Sequence, residues 1–184
     1  MRTLTLLLLS AAAYGADYTI DSAHSGASFG VRHMMVSTVR GHFSKLTGTV
    51  SYDPKNLAAA KVEATIDAST IDTREPKRDG HLKSPDFFDV AKFPTITFRS
   101  TKWTQSAGKF KIAGDLTLHG VTKPVVLDVD GPNGDAKSPI LGATATTKIS
   151  RKEFGLAWNK LLETGGAVVG DEVTITLDIE AKKN

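Results

Sequence analysis

The chain has 184 residues, a length that favours one domain, or one domain plus a short extension. Hydrophobic residues make up 40% of it and charged residues 23%, so a packed core can form and disorder throughout is excluded. The 23 Lys and Arg residues nearly balance the 20 Asp and Glu residues, without long runs of one sign, which argues against a nucleic-acid-binding protein. The absence of cysteine excludes disulfide scaffolds and thiolate metal sites.

The first 15 residues have the layout of a secretory signal peptide. Arg2 supplies a positive charge, a short apolar run follows it, and Ala13 and Gly15 are small residues before a cleavage point. The apolar run is too short to span a bilayer. We therefore predict a leader at residues 1–15 and one exported domain at residues 16–184, periplasmic or secreted and not membrane-spanning.

Apolar and polar residues alternate along most of the remaining chain. Successive side chains of a β-strand point to opposite faces, so this alternation predicts half-buried strands. The pattern is cleanest in the last strand, where four apolar residues alternate with Thr, Asp and Glu. In chain order, the apolar positions of the predicted strands lie at residues 29–31, 48–52, 62–68, 96–98, 110–118, 125–129, 143–149 and 173–179.

The connections between these strands are short and rich in turn residues, which favours antiparallel pairing. The best helical segment runs from Glu75 to about Lys83, with Pro76 in its first turn and Pro85 after its end. A weaker helical turn is predicted from Met34 to Val39. Together these elements predict an all-β fold, either an antiparallel sandwich or a closed barrel, with one short helix and minor helical turns.

Several positions on the predicted inner faces are small, among them Ala64, Gly114, Ala143 and Ala145. Small inward side chains in a barrel leave room for a ligand, or they accommodate barrel taper and close backbone approach. The sequence pattern leaves both interpretations open. A cavity of this composition would select an apolar ligand, because each buried methylene contributes about 0.8 kcal/mol.

Four segments resemble, in order, the successive motifs of the YceI-like family. They are DSAHSGASFGVRHMMVSTVRGHF at 21–43, HLKSPDFFDVAKFPTITF at 81–98, GDLTLHGVTKPVVL at 114–127 and RKEFGLAWN at 151–159. The resemblance runs from about Tyr18 to Ile179. It implies an extended antiparallel lipocalin-like barrel. It also implies that the barrel binds a long-chain isoprenoid lipid, with the tail inside and the head group near one end.

The resemblance implies no catalytic activity and no cofactor other than the lipid. The isoprenoid quinones and the polyprenyl phosphates both fit it, and a homodimer is left open. Strand phase and the resemblance together predict the ligand-lining residues: Phe29, Val31, Val50, Ile66, Phe98, Phe110, Ile112, Leu116, Leu118, Val125, Leu127, Ile149, Ile175 and Leu177.

Four residues of the motifs are candidates for contact with a head group: His24, His33, Arg151 and Asn159. A guanidinium pairs well with phosphate oxygens, and Arg151 opens the RKEFG motif. Structural roles are the alternative for each of the four. The histidine spacing matches no metal-binding motif, and the chain has no GxSxG nucleophile motif, so we predict no metal site and no catalytic residues.

Two rival interpretations remain at this point. One is an enzyme that acts on a lipid or a quinone, with His24 or His33 as general base. The other is a structural or interaction protein whose barrel is filled by its own side chains.

Overall fold

The computed structural model describes residues 15–134, 137–160 and 168–184. Within these residues the chain forms eleven β-strands, one α-helix and two 3-10 turns, so the predicted all-β fold is confirmed. The strands are β1 (Ala16–Ile20), β2 (Gly26–His33), β3 (Ser37–Phe43), β4 (Leu46–Tyr52), β5 (Lys61–Asp67), β6 (Ile71–Asp72), β7 (Thr95–Ser106), β8 (Lys109–Leu118), β9 (Val121–Asn133), β10 (Ile140–Ser150) and β11 (Val169–Lys183).

Eight of the strands close into an antiparallel barrel, in the order β1, β4, β5, β7, β8, β9, β10 and β11. Closure occurs where β11 pairs with β1 at the register Tyr18↔Lys183 to Ile20↔Ala181. Earlier along its length, β11 pairs with β2 instead, from Val169 to Asp178. The β2–β3 hairpin therefore extends the wall of the barrel at one end, which we call the hairpin end.

The opposite end of the barrel is filled by aromatic side chains. Tyr18 is fully buried, and the Tyr52 ring stacks on Trp103 with centroids 5.9 Å apart. Phe110 meets the Tyr52 ring edge-on at 6.4 Å. Aromatic pairs in these geometries stabilise a core beyond the area that they bury. We call this the aromatic end.

The helix α1 (Pro76–Lys83) lies in the connection between β6 and β7, and it confirms the predicted helical segment. Glu75 caps it, because the side-chain oxygens accept hydrogen bonds from the backbone N–H groups of Lys77 and Arg78 at 3.2 and 2.5 Å. Pro76 occupies the first turn, where its missing N–H costs no hydrogen bond. The minor helical turns are 3-10 turns at Ala68–Thr70 and Arg151–Phe154.

The helical turn predicted from Met34 to Val39 is wrong. The chain instead turns sharply between β2 and β3, and the N–H of Val36 donates to the carbonyl of His33 at 3.1 Å. From Ser37 onward the backbone is paired with β2 in an antiparallel ladder. The ladder satisfies the backbone groups of this segment and takes precedence over its local preference.

Candidate functional site

The barrel encloses a cavity of about 240 Å³. Its lining is almost entirely aliphatic and aromatic. Among the described residues that line it, the polar side chains other than the Trp103 indole are those of Ser28, Thr97, Thr147 and Arg151. A closed apolar wall of this kind cannot hold a solvated ion, but it can accept the hydrocarbon part of a ligand.

Alternation along the strands produces this lining. In β10, Ala145, Thr147 and Ile149 face the cavity, whereas the intervening Thr146 and Lys148 are exposed. Small side chains keep the interior open, because Ala64, Ala143 and Ala145 line the cavity, as do Ala27 and Ala181. Many inward residues are consequently only half-buried, since their inner sides border empty space.

Gly114 has a different role from the inward alanines. A Cβ atom there would overlap the Phe98 ring and would lie 2.6 Å from the carbonyl oxygen of Arg99. The glycine therefore provides space for Phe98, whose ring lines the cavity. Close approach is thus the reason for Gly114, and cavity volume is the reason for the alanines.

Thirteen of the fourteen predicted lining residues border the cavity: Phe29, Val31, Val50, Ile66, Phe98, Ile112, Leu116, Leu118, Val125, Leu127, Ile149, Ile175 and Leu177. Phe110 is inward and 7% exposed, but it packs at the aromatic end against Tyr52 and does not border the cavity. Contact of these side chains with a ligand stays a prediction.

The predicted set of lining residues does not include those that lie outside the strands. Leu82 of α1, Phe87 and Phe88 after it, and Leu156 border the cavity from the connections at the hairpin end. The Phe87 ring packs at 5.2 Å from Trp158, and His81 meets both rings edge-on. The Phe87-Phe88 pair in the sequence was the available signal, but strand phase cannot assign the orientation of a loop residue.

Arg151 is the one cationic side chain among the described residues that line the cavity. It is 4% exposed, and this burial lowers the pKa of its guanidinium. Its donors are directed at backbone carbonyl oxygens. The Nε atom donates to Gly170 at 2.8 Å, one terminal nitrogen donates to Leu156 and Trp158, and the other donates to Val169 at 3.3 Å.

Asn159 completes this arrangement. Its amide donates to the carbonyl of Val169 at 2.7 Å, and its side-chain oxygen accepts from the N–H of Val169 at 3.0 Å. Arg151 and Asn159 together therefore fix the start of β11 to the segment that follows β10. Both candidate head-group residues lie at the hairpin end, with their hydrogen-bonding groups directed at the backbone.

His24 lies outside the cavity lining, in the bend between β1 and β2. Its Nδ1 is 2.7 Å from the Asp21 carboxylate and 3.8 Å from Glu180. Lys182 also donates to Asp21, at 2.6 Å. These neighbours raise the pKa of His24, chiefly through its hydrogen bond to Asp21, and hold the pKa of Asp21 well below its usual range, with Lys182 as the largest cause.

Asp21, His24 and Glu180 bring three potential metal-ligand atoms within 4.8 Å of one another. The ammonium group of Lys182 already pairs with Asp21, so it competes with a cation for that carboxylate. We therefore interpret the cluster as a network of ion pairs that joins the β1–β2 bend to β11. His33, the other histidine candidate, ends β2 opposite Ser37 and likewise does not line the cavity.

The family model for the YceI-like domain matches residues 18–181 of the chain. The chain belongs to the YceI-like family. A UPF0312 protein of Vibrio cholerae serotype O1 (strain M66-2) is 40% identical over 154 residues, which cover 79% of this chain and 80% of the relative.

Solved structures show the same barrel as this YceI-like chain. Burkholderia cenocepacia BcnA is 26% identical with a TM-score of 0.75, and the match covers 89% of this chain and 99% of BcnA. A polyisoprenoid binding domain from Saccharophagus degradans, implicated in plant cell wall breakdown, has a TM-score of 0.69 and 15% identity. That match covers 91% of this chain and 98% of the domain, and it concerns the fold alone.

None of the helices in the described part of this YceI-like chain has the length and apolar character needed to cross a membrane.

Among the described residues, no histidine, aspartate or glutamate side chain lines the cavity. The titratable groups of the β1–β2 bend therefore act on the outside of the barrel, where pH affects stability.

Replacing His24 with Gln is expected to destabilise the protein in a pH-dependent way. The native pKa of His24 is raised, so its pairing with Asp21 contributes fully below the ordinary value of 6.5 and is lost as pH rises through the native value. Urea unfolding at about pH 5.5 should therefore show a larger difference between wild type and His24→Gln than unfolding at about pH 8.5. An equal difference at both pH values would contradict the pairing.

Proposed function

We propose that this YceI-like protein binds a long-chain isoprenoid lipid and holds its hydrocarbon tail in the barrel cavity. The observation that carries this proposal is the enclosed lining of aliphatic and aromatic side chains. Each methylene transferred from water into such a site contributes about 0.8 kcal/mol, so a long tail can bind tightly without a specific polar contact. The cavity also argues against the rival of a barrel filled by its own side chains.

The cavity favours an uncharged head group over a charged one. Its cationic lining residue, Arg151, donates its hydrogen bonds to backbone carbonyls. One terminal nitrogen of this guanidinium is also 3.6 Å from the Asp171 carboxylate. A phosphate inside the barrel would lose its hydration without an unpaired cation to replace it, so its burial would be unfavourable by a large free energy. We therefore favour the isoprenoid quinones, and a polyprenyl phosphate would have to keep its phosphate in water at the hairpin end.

Binding without catalysis is the second part of the proposal. A general base must come within hydrogen-bonding reach of the group that it deprotonates. Neither His24 nor His33, the bases of the enzymatic alternative, lines the cavity. The Saccharophagus degradans domain of the same fold, described as polyisoprenoid-binding, is consistent with a binding role. The leader predicted at residues 1–15, of which 1–14 lie outside the described residues, is the basis for the further proposal that binding takes place after export, in the periplasm or outside the cell.

Quenching of Trp103 tests the proposal, because this indole lines the cavity and the other tryptophan, Trp158, does not. In a Trp158→Phe variant, a benzoquinone with an isoprenoid tail should quench Trp103 fluorescence saturably, at one quinone per protein. The same quinone without a tail should give no saturable quenching, because the tail supplies the binding free energy. Equal quenching by both quinones, or no saturation in the folded variant, would contradict lipid binding in the cavity.

A further inference from the structure

The turn between β2 and β3 exposes three consecutive apolar side chains. Met34 is 43% exposed, Met35 is 65% exposed and Val36 is 79% exposed. Met34 and Met35 occupy the two central positions of the turn, with φ values of 49° and 62°. Two consecutive positive φ values are the geometry of a type I′ turn, for which Asn-Gly is the favoured sequence.

Methionine is unfavourable in this conformation, so a turn with two exposed methionines is less stable than one with Asn-Gly. Hydrogen bonds also fix the position of the turn. Arg32 donates to the carbonyl of Met35 at 2.8 Å and to the Thr38 hydroxyl at 3.2 Å, and the N–H of Met34 donates to the carbonyl of Val168 at 2.8 Å. A strained and fixed apolar tip indicates a surface used for binding.

The β2–β3 hairpin itself carries cations and no carboxylate. The nearby carboxylates of Asp171 and Glu172, on the start of β11 beside the hairpin, are ion-paired with Lys152 and Lys148. No aspartate or glutamate occurs from residue 22 to residue 52, whereas the same stretch contains Arg32, Arg40 and Lys45. Arg32 and Arg40 are exposed, and both belong to the β2–β3 hairpin. Exposed methionine and valine beside cations are the composition that binds an anionic lipid surface, since the apolar groups insert and the cations pair with phosphates.

The tip also lies next to the cavity. Val31, three residues before Met34, lines the cavity, and so does Val169, whose neighbour Val168 is hydrogen-bonded to the turn. A bilayer that contacts the tip would therefore lie at the hairpin end of the barrel. From this geometry we infer that the β2–β3 tip docks the protein on an anionic phospholipid bilayer, the place from which a membrane lipid would be loaded. The loading role rests on the proposed function.

The test uses the full protein and phosphatidylglycerol vesicles that contain no isoprenoid. The double variant M34N/M35G keeps the turn and relieves its strain, because Asn-Gly suits the type I′ geometry. We expect wild type to co-float with these vesicles, less so as salt is added, and the double variant to partition at least about tenfold more weakly. The matched control is Ile140→Ser, which removes an apolar side chain of similar exposure (43%) outside the hairpin.

Three results would overturn the inference: wild type that does not co-float, a double variant that binds as wild type does, or an Ile140→Ser variant that loses binding equally. A wild-type dimer in solution that M34N/M35G dissociates would instead assign the tip to a second copy of the chain. Lipid binding in the cavity is measured separately, by Trp103 quenching without vesicles. Failure of docking and failure of the proposed function are therefore distinguishable.

Discussion

Replacing Ala145 with Phe is expected to weaken lipid binding more than about tenfold while the barrel stays folded. Ala145 lines the cavity between Val129 and Leu177 on the neighbouring strands, so the new ring would occupy the space proposed for the tail. Displacing only two methylenes, at about 0.8 kcal/mol each, would weaken binding more than about tenfold. Titration of the variant with the tailed quinone, followed by Trp103 fluorescence, measures this loss.

The matched control is Thr146→Phe. Thr146 is the next residue of β10 and is exposed, so the same ring would point into solvent through the other face of the wall. We expect Thr146→Phe to bind the quinone as wild type does, and circular dichroism should show both variants folded. Unchanged binding by folded Ala145→Phe would place the lipid outside the cavity.

Replacing Arg151 with Met is expected to give the largest loss of stability. The change would leave the carbonyls of Gly170, Leu156 and Trp158 without this hydrogen-bond donor. The carbonyl of Val169 keeps the Asn159 amide as a donor. At about 1 kcal/mol for each of these three unsatisfied groups, the free energy of unfolding should fall by about 3 kcal/mol. Urea denaturation at neutral pH measures this change.

Lys152→Met provides the control for Arg151, because it removes a cation from the adjacent position. The ammonium group of Lys152 pairs with Asp171 at 2.8 Å, but its side chain is 50% exposed. Exposed pairs contribute little, so this variant should lose less than about 1 kcal/mol. If Arg151→Met were as stable as Lys152→Met and lost lipid binding instead, the structural interpretation of Arg151 would be contradicted. The result would then favour contact of Arg151 with the lipid head group.

Strand phase predicted the cavity wall well, because the two-residue period of a strand assigns each side chain to one face. It could not predict where along the barrel the interior becomes solid. Phe110 has the phase of a lining residue, and only the packing of Tyr52 against Trp103 and Phe110 shows that this end is filled. The contributions of Leu82 and Phe87 were hidden for a related reason, because connections have no fixed period.

The roles of Arg151 and Asn159 could not be read from the sequence either. Both residues lie in a family motif, but their hydrogen-bond partners are backbone groups. Every residue has a backbone carbonyl, so the amino-acid sequence does not indicate which one is the partner. The β2–β3 turn was mispredicted because Met34 and Met35 lack the glycine or asparagine that normally marks a type I′ turn. Backbone pairing of the flanking strands imposes the turn.

The most direct test of lipid binding is native mass spectrometry of the protein without residues 1–15, first as purified without added lipid and then after delipidation and reloading. We expect a complex of one protein with one isoprenoid lipid, and the mass of the extracted lipid names its class. Ala145→Phe should remain empty in the same spectrum. If the folded, delipidated wild type takes up neither an isoprenoid quinone nor a polyprenyl phosphate, the barrel is not a carrier of these lipids.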